Sequence, residues 1–131
     1  MSAAKVNQTI LIVEDDALNM RLFQDLLAAR GYHTVACRDG ARALSLAIAH
    51  RPDLVIMDIQ LNGTSGIDLT QSLKADERTA RIPVLAVTAF AMRNDEQRIR
   101  AAGCDGYLPK PIQVDSFLDA VAALALEAVL A

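Results

Sequence analysis

Nowhere in its 131 residues does the sequence carry an apolar run near the ~20 residues that a membrane-spanning helix needs. The N-terminal MSAAKVNQ has one lysine and no apolar core ahead of the first hydrophobic run, so no secretory signal is visible and a soluble, cytoplasmic protein is expected. Cysteine is scarce: Cys37 and Cys104 lie far apart without CxxC spacing, which favours buried free thiols over a disulfide or a metal pair. There is no basic stripe and no RNA-binding aromatic motif, and the net charge is -3, so direct nucleic-acid binding is disfavoured. Repeats, low-complexity tracts and linkers are also absent. What remains is 53% hydrophobic with a mean hydropathy of +0.24, enough for one well-filled core, and a single domain over residues 1–131 with no output domain is expected.

The chain is organised around LVIMD, Leu54 to Asp58. Its apolar part is too short for a buried helix and lacks polar alternation, and Pro52 closes off what precedes it, so it reads as a strand covered on both faces. TILIV (Thr9 to Val13) and VLAV (from Val84, closed by Thr88) read the same way. Two further short runs, Tyr32 to Ala36 and Asp105 to Pro109, complete a set of five, the first with the mixed polarity of a sheet edge. Between them the spacing predicts five helices. The first carries Leu18, Leu22, Phe23, Leu26 and Leu27 and ends near Gly31; the second is introduced by Asp39 and turns Ala43, Leu44, Ala47 and Ile48 inward. A third runs from about Ile67 to Ala75, and a mostly polar fourth, Met92 to Ala102, has a narrow Ile99 seam and Gly103 as its C-cap. The last, from about Val114, buries Phe117, Val121 and Leu124, with Leu126, Val129 and Leu130 widening its apolar face. Strands alternating with helices at short connections imply an α/β fold with a parallel sheet, since parallel neighbours need crossovers of this length.

A parallel sheet brings the carboxyl ends of its strands to one edge, where reactive groups gather. Strand one delivers Glu14, Asp15 and Asp16, strand three Asp58, strand four Thr88 and strand five Lys110. Carboxylates crowded together repel, and without a counter-charge at least one should hold its proton more tightly. Mg²⁺, a hard cation, removes the conflict with one or two carboxylates, waters and a backbone carbonyl, which Gln60 is placed to give. Thr88 offers a hydroxyl and Lys110 a point charge, both suited to phosphoryl oxygens. A carboxylate nucleophile, a metal, a hydroxyl and an ammonium make a phosphoryl-transfer site. Asp16 reads instead as the N-cap of helix one.

ILIVED, LVIMD, VTA and YLPKP, in this order and over nearly the whole chain, resemble the receiver domains of two-component response regulators; EDDALNMRLF, DIQL and VTAFAM are similar to single-domain, DivK-type regulators of cell-cycle and polarity pathways. That resemblance implies a flavodoxin-like sheet of order 2-1-3-4-5 with helices on both faces and a cis Lys110–Pro111 peptide. It implies a signalling protein, not an enzyme, that assists its own phosphorylation and dephosphorylation. Asp58 would accept a phosphoryl group from a kinase phosphohistidine. Asp15, Asp58 and the Gln60 carbonyl would ligate Mg²⁺ (Mn²⁺ as an alternative ion), Glu14 would orient a metal-bound water, and Thr88 and Lys110 would bind phosphoryl oxygens. Thr88 and Tyr107 would form the switch, remodelling the surface of helix four, strand five and helix five. The implied partners are a sensor histidine kinase, which could recruit the protein to a membrane, and a downstream kinase, phosphotransferase or adaptor, with the protein a monomer or weak dimer.

One departure stands in the acceptor loop, where Asn62 occupies a position that often holds proline; losing a φ-restricting residue there is expected to loosen the loop. Phe90, two residues past Thr88, cannot polarise water, so slow self-dephosphorylation is expected. A haloacid-dehalogenase-type phosphatase would need an acid where Gln60 stands, and a flavodoxin-like FMN carrier would need a hydroxyl-rich phosphate loop where this chain has three acids. The remaining rival is a pseudo-receiver that docks without being phosphorylated.

Overall fold

The structure, a computed structural model, describes residues 8–89 and 93–130. LVIMD and VLAVT are buried at every residue, because each becomes an interior strand with neighbours on both sides and helices above and below. The sheet holds β1 (Thr9–Val13), β2 (His33–Cys37), β3 (Leu54–Asp58), β4 (Val84–Thr88) and β5 (Gly106–Pro109), all parallel, in the order β2-β1-β3-β4-β5. The half-exposed β2 lies at one edge, as its mixed polarity implied.

Alternation along the strands divides the core in two. Ile10, Ile12, Leu54, Ile56, Leu85 and Val87 face α1 (Ala17–Ala28) and α5 (Val114–Leu130), where the Phe23 and Phe117 rings stack with centroids 5.2 Å apart. Leu11, Val13, Val55, Met57, Val84 and Ala86 face α2 (Ala43–His50), α3 (Gly66–Ala75) and α4 (Arg93–Ala101). The implied sheet order and two helical layers are therefore present, as is the cis Lys110–Pro111 peptide. Cys37 and Cys104 are buried free thiols, raised by burial above their ordinary pKa.

Several local expectations need correction. The buried stripe of α1 is Met20, Phe23 and Leu27, whereas Leu18 is 82% and Leu22 44% exposed. Two apolar rows about 100° apart both satisfy helical spacing, and only one can face the sheet. Asp39 caps a 3₁₀ turn, Gly40–Arg42, that precedes α2, not α2 itself. In α5, Phe117, Val121 and Leu124 are buried together with Leu118 and Ala125, but Leu126 and Val129 face outward. Met92 lies outside the described residues, while Ile99 is buried as the seam of α4. The segment after Asp58 is not a plain loop: Gln60–Leu61 pairs antiparallel with Thr64–Ser65 around a turn in which Gly63 takes φ +78°, a conformation glycine adopts without steric cost. Ser65 then caps α3 by accepting from the Ile67 N–H at 3.1 Å.

Candidate phosphoryl-transfer site

Successive strands deliver the site through their register. Val13 lies opposite Met57, Asp58 opposite Val87, and Thr88 opposite Pro109, so the residues at or just past these strand ends share one edge. The chain goes to opposite sides of β1 for β2 and β3, and the crevice formed by that reversal is where open α/β sheets bind ligands. Asp16 turns away from it. Its carboxylate accepts from the Leu18 and Asn19 N–H groups at 2.8 and 3.1 Å, making it the cap of α1.

Glu14, Asp15 and Asp58 each place a carboxylate oxygen within 4.8 Å of the others. Lys110 Nζ donates to Asp58 Oδ2 at 3.2 Å and stands 3.6 Å from Glu14 Oε1, while Asp58 Oδ1 accepts from the Gln60 N–H at 2.9 Å. Glu14 is 1% exposed. Its Oε2 accepts from the Asp16 N–H, but the buried Oε1 accepts no hydrogen bond among the described residues. Burial, reinforced by the adjoining Asp58 carboxyl and only partly offset by the Asp16 N–H and Lys110, pushes the Glu14 pKa up to about 7. Three carboxylates, Glu14 with its buried Oε1 among them, face the Lys110 ammonium and leave the site short of positive charge, and hard oxygen donors of this kind fit Mg²⁺.

An acid whose pKa rises on folding keeps its proton better in the folded state, so the metal-free fold should lose stability as pH climbs from about 4.5 to about 7 through this group. Urea unfolding with a chelator present should give a lower midpoint at pH 8 than at pH 5.5, and Glu14→Gln should flatten the difference. An equal pH dependence in wild type and variant would contradict the assignment.

The acceptor loop is tied rather than loose. The Asn62 N–H donates to Asp15 Oδ2 at 2.7 Å, a bond that proline at this position could not make, and the hairpin fixes the residues on either side. Arg38, the residue just past β2, donates to the Asp15 carbonyl at 3.1 Å. Glu14, Asp15, Asp58 and Lys110 thus come together directly, whereas Thr88 joins them through Gln60, whose side chain donates to Thr88 Oγ1 at 2.7 Å and accepts from the Ala89 N–H at 2.9 Å. Tyr107 stands one strand over, half-buried beside Ala86 on the face under α4. By strand alternation this is also the face of Thr88. Phe90 lies outside the described residues. Sequence reasoning missed Arg38, the Asn62 N–H and the Gln60 side chain. None carries a motif signal, and only the hairpin and the β2 edge bring them in.

Comparison with known families decides what this edge belongs to. The sequence profile of the response regulator receiver domain matches residues 10–122. The chain belongs to the response regulator receiver family. Among curated relatives, this receiver is 53% identical over 114 residues to the polar-differentiation response regulator DivK of Brucella anthropi, covering 87% of this chain and 93% of that one. It is 52% identical over 116 residues to DivK of Brucella melitensis, covering 88% and 94%. Among solved structures it resembles the receiver domain of a Pseudomonas aeruginosa sensor histidine kinase, described with a magnesium ion coordinated in its active site cleft, at a TM-score of 0.84 and 30% identity over 92% of this chain and 98% of that one. Chemotaxis protein CheY4 of Vibrio cholerae, at TM-score 0.85 and 23% identity over 91% and 99%, shares the fold. As a receiver of the DivK type the chain is a signalling protein, and among its described residues no helix is long and apolar enough to cross a membrane.

Proposed function

We propose that this receiver accepts a phosphoryl group on Asp58 from a phosphohistidine of a partner kinase. The observation that carries the reading is the Lys110 ammonium 3.2 Å from Asp58 Oδ2 while the other carboxylate oxygen is held by the Gln60 N–H. In the transfer, an Asp58 oxygen forms a bond to phosphorus as the bond from phosphorus to the imidazole nitrogen breaks, and the bonding pair leaves with the imidazole. Lys110 neutralises charge on the transferring oxygens, and the Thr88 hydroxyl donates to one of them. Asp15, Asp58 and the Gln60 carbonyl would hold Mg²⁺, with Glu14 acting through a water, and the ion would add positive charge at the phosphoryl oxygens; Mn²⁺ meets the same oxygen set.

In this reading the domain assists its own phosphorylation and, slowly, its own dephosphorylation. Thr88, drawn to the phosphoryl group, releases space that Tyr107 takes up, and the two arrangements form the bistable element of a switch. The changed surface of α4, β5 and α5 then selects a downstream kinase, phosphotransferase or adaptor. The protein works in the cytoplasm as a monomer or weak dimer, recruited where a membrane-bound kinase requires it.

Incubation with Mg²⁺ and a small phosphodonor should raise the intact mass of wild type by one phosphoryl group and leave Asp58→Asn unchanged. No gain in wild type, where a control receiver is modified, would favour a docking module that is not phosphorylated.

A further inference from the structure

We infer that the Gln60 side chain is a latch that holds Thr88 in its resting position, making Gln60 a positioning residue that sets how readily the switch turns. The inference rests on the phosphoacceptor reading of Asp58. Both ends of the Gln60 amide are engaged, Oε1 by the Ala89 N–H at 2.9 Å and Nε2 by Thr88 Oγ1 at 2.7 Å. A backbone N–H can only donate, so the carbonyl end must face Ala89, and this fixes the NH₂ group on Thr88. The same residue holds Asp58 Oδ1 through its backbone N–H at 2.9 Å. Gln60 therefore touches the acceptor with its main chain and the switch with its side chain. Its backbone is fixed by pairing with Ser65, so the amide cannot follow Thr88 far.

Thr88 is 0% exposed and β-branched, which leaves its hydroxyl few staggered positions. The Gln60 amide donates into an Oγ1 lone pair and a phosphoryl oxygen on Asp58 would accept the O–H, so the two conflict through the position that each asks of Thr88. Moving Thr88 toward Asp58 breaks its bond to Gln60 and pulls on Ala89, the next residue, whose N–H is held by the carbonyl end of the same amide, so the latch couples acceptor chemistry to the end of β4.

Removing the amide should bias the free protein toward the phosphorylated arrangement. Beryllofluoride with Mg²⁺, a stable mimic of the aspartyl phosphate, is the probe, and its affinity is read from the Ala89 and Tyr107 amide signals. Gln60→Ala should bind it about fivefold more tightly than wild type, the factor that one net hydrogen bond represents. Gln60→Met, which keeps the side-chain length, should do the same, and the Ala89 signal of both should move toward its bound position before the mimic is added. In a Thr88→Ala background the Gln60 substitution should leave the affinity unchanged. Wild-type affinity in both Gln60 variants, or equal tightening in the Thr88→Ala background, overturns the latch while leaving phosphorylation standing. A wild type that binds no beryllofluoride overturns the phosphoacceptor reading and the latch with it.

Discussion

Gly66→Ala is expected to lose roughly 3 kcal/mol or more of folding stability and most of its phosphoryl uptake. A Cβ at Gly66 would sit 2.3 Å from the Asp58 carbonyl oxygen and 2.7 Å from Ile59 Cα, both main-chain atoms that cannot rotate aside. The Gly66 N–H also donates to the Ile59 carbonyl at 3.1 Å, so the start of α3 is fastened to the residue after the acceptor. Relief of the clash must move α3, the end of β3, or both, and the second carries the Asp58 carboxylate away from Lys110. Gly63→Ala is the control. Gly63 has φ +78° but nothing within 4 Å of the added carbon, so that variant should lose only about 1 kcal/mol and keep its phosphoryl uptake. Urea unfolding and intact mass distinguish the two; equal stability in both variants would refute the packing argument.

Magnesium is expected to stabilise the folded protein by about 2.7 kcal/mol once its concentration reaches a hundred times the dissociation constant, because the unfolded chain does not gather the three carboxylates. The gain has a local cause: Glu14, Asp15 and Asp58 crowd within 4.8 Å of one another beside the Lys110 ammonium, and among the described residues the buried Glu14 Oε1 accepts no hydrogen bond. Asp15→Asn keeps an acceptor for the Asn62 N–H but removes one of the charges, so the variant should fold as well as wild type without metal and gain far less from magnesium. Unfolding midpoints over a magnesium titration supply the test, and the same gain in both proteins would show that Asp15 is not a ligand.

Much of this was legible in the chain. LVIMD and VLAVT could be read as interior strands because four to five adjacent branched or apolar residues ending in a polar one have few other uses in a domain of this size, and parallel order then fixed which polar residues share an edge. The carboxylates and Lys110 were found because each closes an apolar run. Illegible were contacts set by rotation and by short-range turns. Leu18 and Leu22 satisfied helical spacing yet face solvent, since periodicity does not say which of two neighbouring rows meets the sheet. Asn62 looked like a weakness because only its side chain and missing ring are visible in the sequence, while its contribution is a main-chain N–H. Gln60 was singled out for its carbonyl, and its side-chain bonds to Thr88 and Ala89 become visible only once the hairpin and β4 are placed side by side.

Both the proposed switch and its latch rest on an Asp58 oxygen being the nucleophile that bonds to phosphorus. Borohydride reduces an aspartyl phosphate to homoserine, so treating the phosphorylated protein and mapping its peptides locates the acyl phosphate directly. Homoserine at position 58 is the predicted result. Homoserine at position 15, 5-hydroxynorvaline at position 14, or neither product at any of these positions in protein that has gained a phosphoryl group, would contradict it.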